Sequence, residues 1–291
     1  MVTAGDYDPR VTDLCERMLV TVIGNAGFWG RRLYLVGGLV PRYLYGPGCG
    51  QAASHVGSRD VDLAVILMVD DPTSKSYETL ARNLQRAGFR QAPLANDPGF
   101  RWGKQVDGES LILEFICDTD EVEPGLSFKP RSGSGSRFQA LNVRGARLVS
   151  LDHTLVPVSA DRLDGGGGAV ANVQVAGLLP FVVLKISAFV VRHHDKDAYD
   201  LVWSLRNHPD GPEGAGRQMA VSPVVDDPLA VDALAVLRDR FADPRNDAPT
   251  AYGAFLDVAG DREAAARSRN EAVGTVRMAL AALDAARGAA S

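Results

Sequence analysis

Two aspartates, Asp60 and Asp62, stand two residues apart in Ser58-Arg59-Asp60-Val61-Asp62, directly ahead of the apolar run Leu63–Val69. On a strand, residues two apart project to one face. Carboxylates placed side by side repel, and that repulsion is removed by a cation between them or screened by water if both acids lie on an exposed strand end. Mg2+ suits such a pair, because it takes oxygen ligands and usually combines one or two carboxylates with substrate phosphates. Paired ions of this kind serve in-line displacement at phosphorus. Glu114 is the candidate third metal ligand. It lies inside the apolar run Leu111–Ile116, where an acid needs a partner. Asp118, at the exit of the same run, competes with it.

A second group of residues points to phosphates. Leu33-Tyr34-Leu35-Val36 reads as a buried strand that ends at Gly37-Gly38, where backbone amides can approach an anion closely. Ser58 is placed to bond either a phosphate or the turn backbone. Farther along, Lys185, Arg192, Lys196 and Asp200 are spaced by seven, four and four residues, which makes one stripe if the helix there is unbroken. Lys185 sits in apolar surroundings, so its ammonium must reach a phosphate, a carboxylate or solvent. For Arg192 and Lys196, ion pairs along a solvated helix face are the ordinary alternative. His193-His194 point in different directions and lack further ligands, so they do not read as a metal site.

The elements that must position these groups follow from periodicity and punctuation. Helices are expected over Pro9–Ile23, from Val40 to Leu44, and over Ser76–Gly88. Strands are expected at Leu33–Val36, Val61–Val69 and Ser110–Asp118, with a loop over Gly46–Ser58. That alternation implies an α/β (α+β) core with a mixed sheet over 1–125. A β-rich extension follows over 126–177, with strands at Leu141–Val149 and Thr154–Val158 and flexible punctuation at Ser132–Ser136 and Asp164–Gly168. A helical C-terminal lobe over 178–291 is built from Leu178–Leu205, with a break near His193-His194, and from Pro228–Phe241 and Asp261–Ala286; Asn207–Glu213 reads as a loop.

Composition narrows the class. A chain of 291 residues with 46% apolar and 23% charged residues is ordinary for a globular protein. Its net charge of -5 gives no global basic field. Locally, Gly125–Leu151 carries Lys129, Arg131, Arg137, Arg144 and Arg147 with no acid, a stretch suited to an RNA backbone or simply a solvated loop. Cys15, Cys49 and Cys117 match no zinc spacing and suggest reduced thiols in a cytoplasm. No signal peptide and no membrane span is expected.

Leu35-Val36-Gly37-Gly38, then Ser58-Arg59-Asp60-Val61-Asp62-Leu63, then Lys185 and Lys196-Asp197-Ala198-Tyr199-Asp200-Leu201 resemble the AbiEii-type nucleotidyltransferase toxins. The MenT toxins belong there, within the DNA polymerase beta-like superfamily. The resemblance spans roughly residues 30 to 205 and is carried by the combination. It implies a polymerase-beta-like core with a helical lobe, an NTP substrate and Mg2+, with Mn2+ as a substitute. It further implies Asp60 and Asp62 as catalytic metal ligands, Lys185 as a triphosphate holder and Asp200 as the acid working with it. Gly37, Gly38, Ser58, Arg192 and Lys196 would line the nucleotide. Family members transfer nucleotides, in some cases to the tRNA 3′ end, and are paired with an antitoxin, in a type IV-like system. This chain departs from the pattern in an insert around Gly46–Gly57 and in Leu39 following Gly38. Two other readings are a nucleotidyltransferase acting on a small molecule such as an aminoglycoside-type antibiotic, and a catalytically silent module that binds nucleotide or RNA.

Overall fold

The computed structural model describes residues 2–45, 55–65, 75–94, 96–130, 138–256 and 261–290. The expected loop over Gly46–Ser58, the second half of the strand expected over Val61–Val69, the Ser132–Ser136 stretch, and Cys49, Arg131 and Arg137 lie wholly or partly outside them. Among the described residues the chain is a mixed α/β protein with one mixed sheet and many helices, divided into two compact units.

The first unit comprises Pro9–Leu39 and Ser58–Ala176. Helix α1 (Pro9–Asn25) buries Leu14, Cys15, Met18, Leu19 and Val22, the helical spacing read from the sequence. The strands are β1 (Leu33–Val36), β2 (Asp60–Val65), β3 (Arg90–Gln91), β4 (Arg101–Val106), β5 (Glu109–Cys117), β6 (Ser127–Phe128), β7 (Ala140–Asn142), β8 (His153–Asp161) and β9 (Gly168–Ala176). Helix α2 (Lys75–Arg86) follows β2. The sheet runs β3-β4-β5-β2-β1-β9-β8, with β7 alongside β5 and β6 alongside β7. β2 is parallel to β5 and antiparallel to β1. The strands of 126–177 therefore extend the same sheet as those before residue 125.

Alternation sorts the central strands into two faces. Val61 and Leu63 of β2, Leu111, Leu113 and Phe115 of β5, and Leu33 and Leu35 of β1 are fully buried on one of them. An aromatic chain continues this packing: Phe115 meets Phe138, Phe138 stacks on Tyr77 of α2, and Tyr77 meets Trp29. Burial of these large rings makes the centre of the sheet a rigid platform. The other face carries Asp60, Asp62 and Glu114, each half-buried.

Several elements differ from the sequence reading. β4 and β5 form a hairpin across Asp107-Gly108, both at positive φ (51° and 85°). Asp-Gly is the two-residue loop that right-twisted strands favour, so β4 was signalled by its turn rather than by its mixed side chains. Gly37–Arg42 is a 3-10 helix in place of the helix expected from Val40. Within Leu141–Val149 only Ala140–Asn142 is strand. Gly145, at φ 91°, turns the chain into a 3-10 segment at Ala146–Ser150.

The second unit comprises Met1–Asp8, Val40–Gly57 and Gly177–Ser291. Its helices are α3 (Leu178–Arg192), α4 (Asp195–Arg206), α5 (Gly211–Ala220), α6 (Pro228–Arg240), α7 (Asp247–Phe255) and α8 (Arg262–Ala290). α5 overlaps the loop expected over Asn207–Glu213, and α7 lies in a stretch where no element is expected, because Gly, Pro and short length hide their periodicity. α3 ends at His193, which takes the left-handed conformation (φ 49°) that terminates helices, and α4 restarts after His194. The break expected near His193-His194 is real, so the single unbroken stripe from Lys185 to Asp200 is not formed. Among the described residues no helix is long and apolar enough to cross a membrane.

Candidate functional site

In the sheet unit, register brings the acids together. Asp62 of β2 lies opposite Glu114 of the parallel β5 and opposite Val36 of the antiparallel β1. Asp60, one pleat earlier, lies opposite Ile112. Asp60, Asp62 and Glu114 thus share one face of adjacent strands.

Each carboxylate is held differently. The Ser58 hydroxyl donates to Asp60 Oδ1 at 2.8 Å. Ser58 itself is buried and pinned to α1. Its N–H donates to Thr12 Oγ1 at 3.2 Å, the Thr12 hydroxyl returns a bond to the Ser58 carbonyl at 3.2 Å, and the Cys15 thiol reaches the same carbonyl. Ser58 therefore orients Asp60 here, instead of presenting its hydroxyl to a phosphate. Burial, reinforced by the negative charges of Asp60, Asp62 and Glu16, pushes the Cys15 thiol up to about 12. That shift places Cys15 in the field of both aspartates as a neutral, unreactive group.

Asp62 lies against Gly37. A Cβ built on Gly37 would fall 1.9 Å from Asp62 Oδ2 and 2.8 Å from its Cγ, and Gly37 has φ +73°. Only glycine meets both conditions without strain. Gly37→Ala is accordingly expected to cost about 1–3 kcal/mol in stability through its backbone conformation. It should also displace the Asp62 carboxylate by on the order of 1 Å, enough to cut a chemical step by about 100-fold. Thermal melting together with an activity measurement checks this. Wild-type activity in Gly37→Ala would show that the Asp62 position is not critical. Gly38 continues into the 3-10 turn after β1.

Glu114 has a partner other than a metal. Arg101, its register neighbour on β4, donates from Nε at 2.8 Å and from a terminal nitrogen to the same oxygen, and reaches Asp97 at 2.9 Å. A cross-strand ion pair thus supplies what the sequence reading assigned to a shared metal. Asp118, the competing acid, accepts from the backbone N–H groups of Gly145 and Arg147 and so caps a turn. Among the described residues no group of three His, Cys, Asp or Glu side chains is arranged to hold a metal ion. Asp60 and Asp62 remain as a pair of hard oxygen donors. That set fits Mg2+ when phosphate oxygens and water complete the shell, and does not fit a closed structural site.

Comparison with protein-family models, with curated proteins and with solved structures finds no match.

In the helical unit the break between α3 and α4 folds the chain back, and the expected residues meet across the turn. Lys185 Nζ lies 3.1 Å from Asp197 Oδ1 and 2.6 Å from Asp200 Oδ2. Arg192 grips Asp197 with two donors, at 2.7 and 2.8 Å. Lys196 donates to both oxygens of Asp200, at 2.9 and 3.0 Å. Asp197 and Asp200 are buried to within 1% and Lys185 is nearly so, whereas half of the Arg192 side chain is exposed. Three cations, Lys185, Arg192 and Lys196, thus converge on two carboxylates. Burial would raise the pKa of Asp200, but Lys185 and Lys196 outweigh it and hold the carboxyl well below its usual range. Burial opposes the charge on Lys185, yet Asp200 and Asp197 keep it firmly protonated. The sequence reading assigned Lys185 to a triphosphate. Here its ammonium is already shared by two buried acids.

Asp197 and His55 were missed. Asp197 carried a signal, since it stands at the start of α4 in the Lys196–Leu201 motif, where a carboxylate also complements the helix N-terminus. His55 carried none, being a lone histidine in a Gly- and Ser-rich stretch. Its Nε2 lies 2.8 Å from Asp200 Oδ1, and its Nδ1 accepts the Gly57 N–H at 3.0 Å. The imidazole is therefore neutral with the proton on Nε2, because a second proton on Nδ1 would face the Gly57 N–H. Burial lowers its pKa to about 4, against the opposing pull of Asp200.

This sets a pH dependence. The folded value lies below the ordinary 6.5, so the unfolded chain binds the proton more readily. The His55 contribution to stability is complete above pH 6.5 and is lost as pH falls from 6.5 to about 4, amounting to about 3 kcal/mol. Asp197 and Asp200, also depressed, carry the loss to lower pH. Urea unfolding of wild type and His55→Gln between pH 4 and 7 checks this. Glutamine does not titrate, so wild type should lose about 3 kcal/mol relative to His55→Gln as pH falls from 6.5 to about 4, and parallel curves would refute a buried neutral His55.

Proposed function

We propose that the protein is a metal-dependent nucleotidyltransferase with a polymerase-beta-like core. The observation that carries this reading is the placement of Asp60 and Asp62 on one face of β2, with Asp62 seated on Gly37 at the end of the neighbouring strand. Two adjacent carboxylates beside a glycine turn are what a Mg2+-nucleotide requires: ligands for the ion and bare backbone for the phosphates. The likeness to AbiEii-type toxins supports the same reading.

In this proposal an acceptor hydroxyl attacks the α-phosphate of an NTP in line. The new O–P bond forms as the bridging bond to the β-phosphate breaks, pyrophosphate leaves, and the hydroxyl proton passes to water. Mg2+, with Mn2+ as a substitute, would neutralise the charge that develops on the phosphate oxygens. Asp60 and Asp62 hold the ion, Ser58 keeps Asp60 aimed, and Gly37 and Gly38 give the phosphates access to backbone. Glu114, engaged by Arg101, lies opposite Asp62 on the next strand and is not assigned to the ion. The likeness to AbiEii-type toxins is what assigns Lys185, Arg192, Lys196 and Asp200 to the triphosphate.

The acceptor is proposed to be tRNA or another RNA, held in part by Lys129, Arg144 and Arg147, in a cytoplasmic toxin-antitoxin setting with a cognate antitoxin protein. The net charge of -5 favours a second acceptor class, a small molecule such as an aminoglycoside. Incubation with each labelled NTP and Mg2+, separately with tRNA and with a panel of hydroxylated antibiotics, tests the reading. Label transfer that is abolished by EDTA and restored by Mg2+ or Mn2+ supports it and names the acceptor. NTP binding without transfer to anything would instead mark a silent binding module.

A further inference from the structure

The Lys185 cluster poses a chemical problem for nucleotide binding. Each ammonium that turns toward a phosphate must loosen its hold on a buried carboxylate, and Asp200 is completely buried. An acid left there without a donor would be costly. Asp200 Oδ2 faces Lys185 and Lys196, whereas Oδ1 faces Lys196 and the imidazole of His55. His55 is the one neutral donor in this set. It is fixed on every side: its ring lies against Tyr199 (5.3 Å between centroids) and edge-on to Trp203 (5.0 Å) of α4, and Nδ1 is held by the Gly57 N–H. The neighbouring Val56 N–H also bonds the Tyr199 hydroxyl at 3.3 Å. The charged groups nearest the ring are Asp200 and Lys196 of α4 and Lys185 of α3.

We infer that His55 is a positioning residue for nucleotide binding: its Nε2–H stays on Asp200 and keeps that carboxylate fixed and satisfied while Lys185 or Lys196 turns to the phosphates of an incoming NTP. The inference rests on the nucleotide reading above and adds a residue to it. A neutral donor suits this task better than a third cation, which would compete for the same phosphates and add buried charge. Glutamine can imitate the Nε2–H donor, and phenylalanine can fill the slot without one.

The test uses the full-length protein. Equilibrium binding of Mg2+ with a non-hydrolysable analogue of each of the four NTPs is measured for wild type, His55→Gln and His55→Phe. Losing a hydrogen bond to a charged group predicts that His55→Phe binds about 10-fold more weakly or worse, with His55→Gln restored to within about 3-fold of wild type. In wild type, long-range proton-nitrogen NMR should show a neutral imidazole with its proton on Nε2, both free and with an analogue bound. This second reading requires no variant to fold. His55→Phe binding as tightly as wild type overturns the inference, as does a proton on Nδ1 or an imidazolium at pH 7. If wild type itself binds no nucleotide, the nucleotide reading falls and takes the inference with it, an outcome that the wild-type control alone identifies.

Discussion

Asp60→Ala is expected to reduce nucleotidyl transfer by about 1000-fold or more while leaving the melting temperature unchanged or raised. The first half follows from the proposed chemistry: without Asp60 the ion keeps a single protein ligand, and charge neutralisation worth several kcal/mol is lost. The second half follows from electrostatics. Asp60 and Asp62 project from one face of a strand, and Cys15 lies in the field of both. Removing one charge relieves repulsion that the fold tolerates. What is lost structurally is one hydrogen bond from Ser58, which is anchored independently through Thr12. A surface acid with no role would leave transfer intact, and a structural acid would give a lowered melting temperature. Measuring transfer and melting on the same preparation separates the three cases. Full activity, or a large drop in stability with activity proportionate to the folded fraction, would remove Asp60 from the chemistry. Asp62→Asn should behave alike in activity, since it keeps the shape against Gly37 and loses the charge.

The sheet half of this arrangement was legible in the sequence because its determinants are local. Asp-x-Asp at the mouth of an apolar run, and an apolar run ending in Gly-Gly, specify strand, face and turn by alternation and glycine chemistry. What the sequence could not give was the register. Asp62 meets Glu114, and Glu114 meets Arg101, through pairings of strands far apart in the chain or joined by the Asp107-Gly108 turn. Without that register a metal was the only partner available for Glu114. The helical half was misread for a related reason. Spacing of seven and four residues suggested one stripe on one helix, whereas two helices meeting at His193 bring Lys185 against Asp197 and Asp200. The residues do meet one another, but across the turn between two helices and not along one stripe. His55 could not be found at all, because its partner lies 145 residues away and nothing in its own neighbourhood requires a donor.

Asp200→Ala should be strongly destabilising, by about 3–5 kcal/mol. Asp200 is completely buried and accepts from Lys185, Lys196 and His55. Removing it leaves Lys185, also buried, with Asp197 alone, and Asp197 is already shared with Arg192. The loss therefore exceeds that of an exposed ion pair, which is worth about 1 kcal/mol or less. Measured against a typical total of about 5–15 kcal/mol, it would leave the unit marginal. The cost should come mostly from the stranded lysine and not from the missing contact, and this has its own consequence. Adding Lys185→Met to Asp200→Ala should recover much of the stability, because exchanging a buried ion pair for apolar volume is often neutral. Urea unfolding of wild type, both single variants and the double variant gives the coupling directly. Single losses that simply add would mean that Lys185 and Asp200 do not share a desolvated pair. If the double variant refolds but binds no Mg2+-nucleotide, the role of the cluster in binding is separated from its role in the fold, a distinction that neither single variant can make.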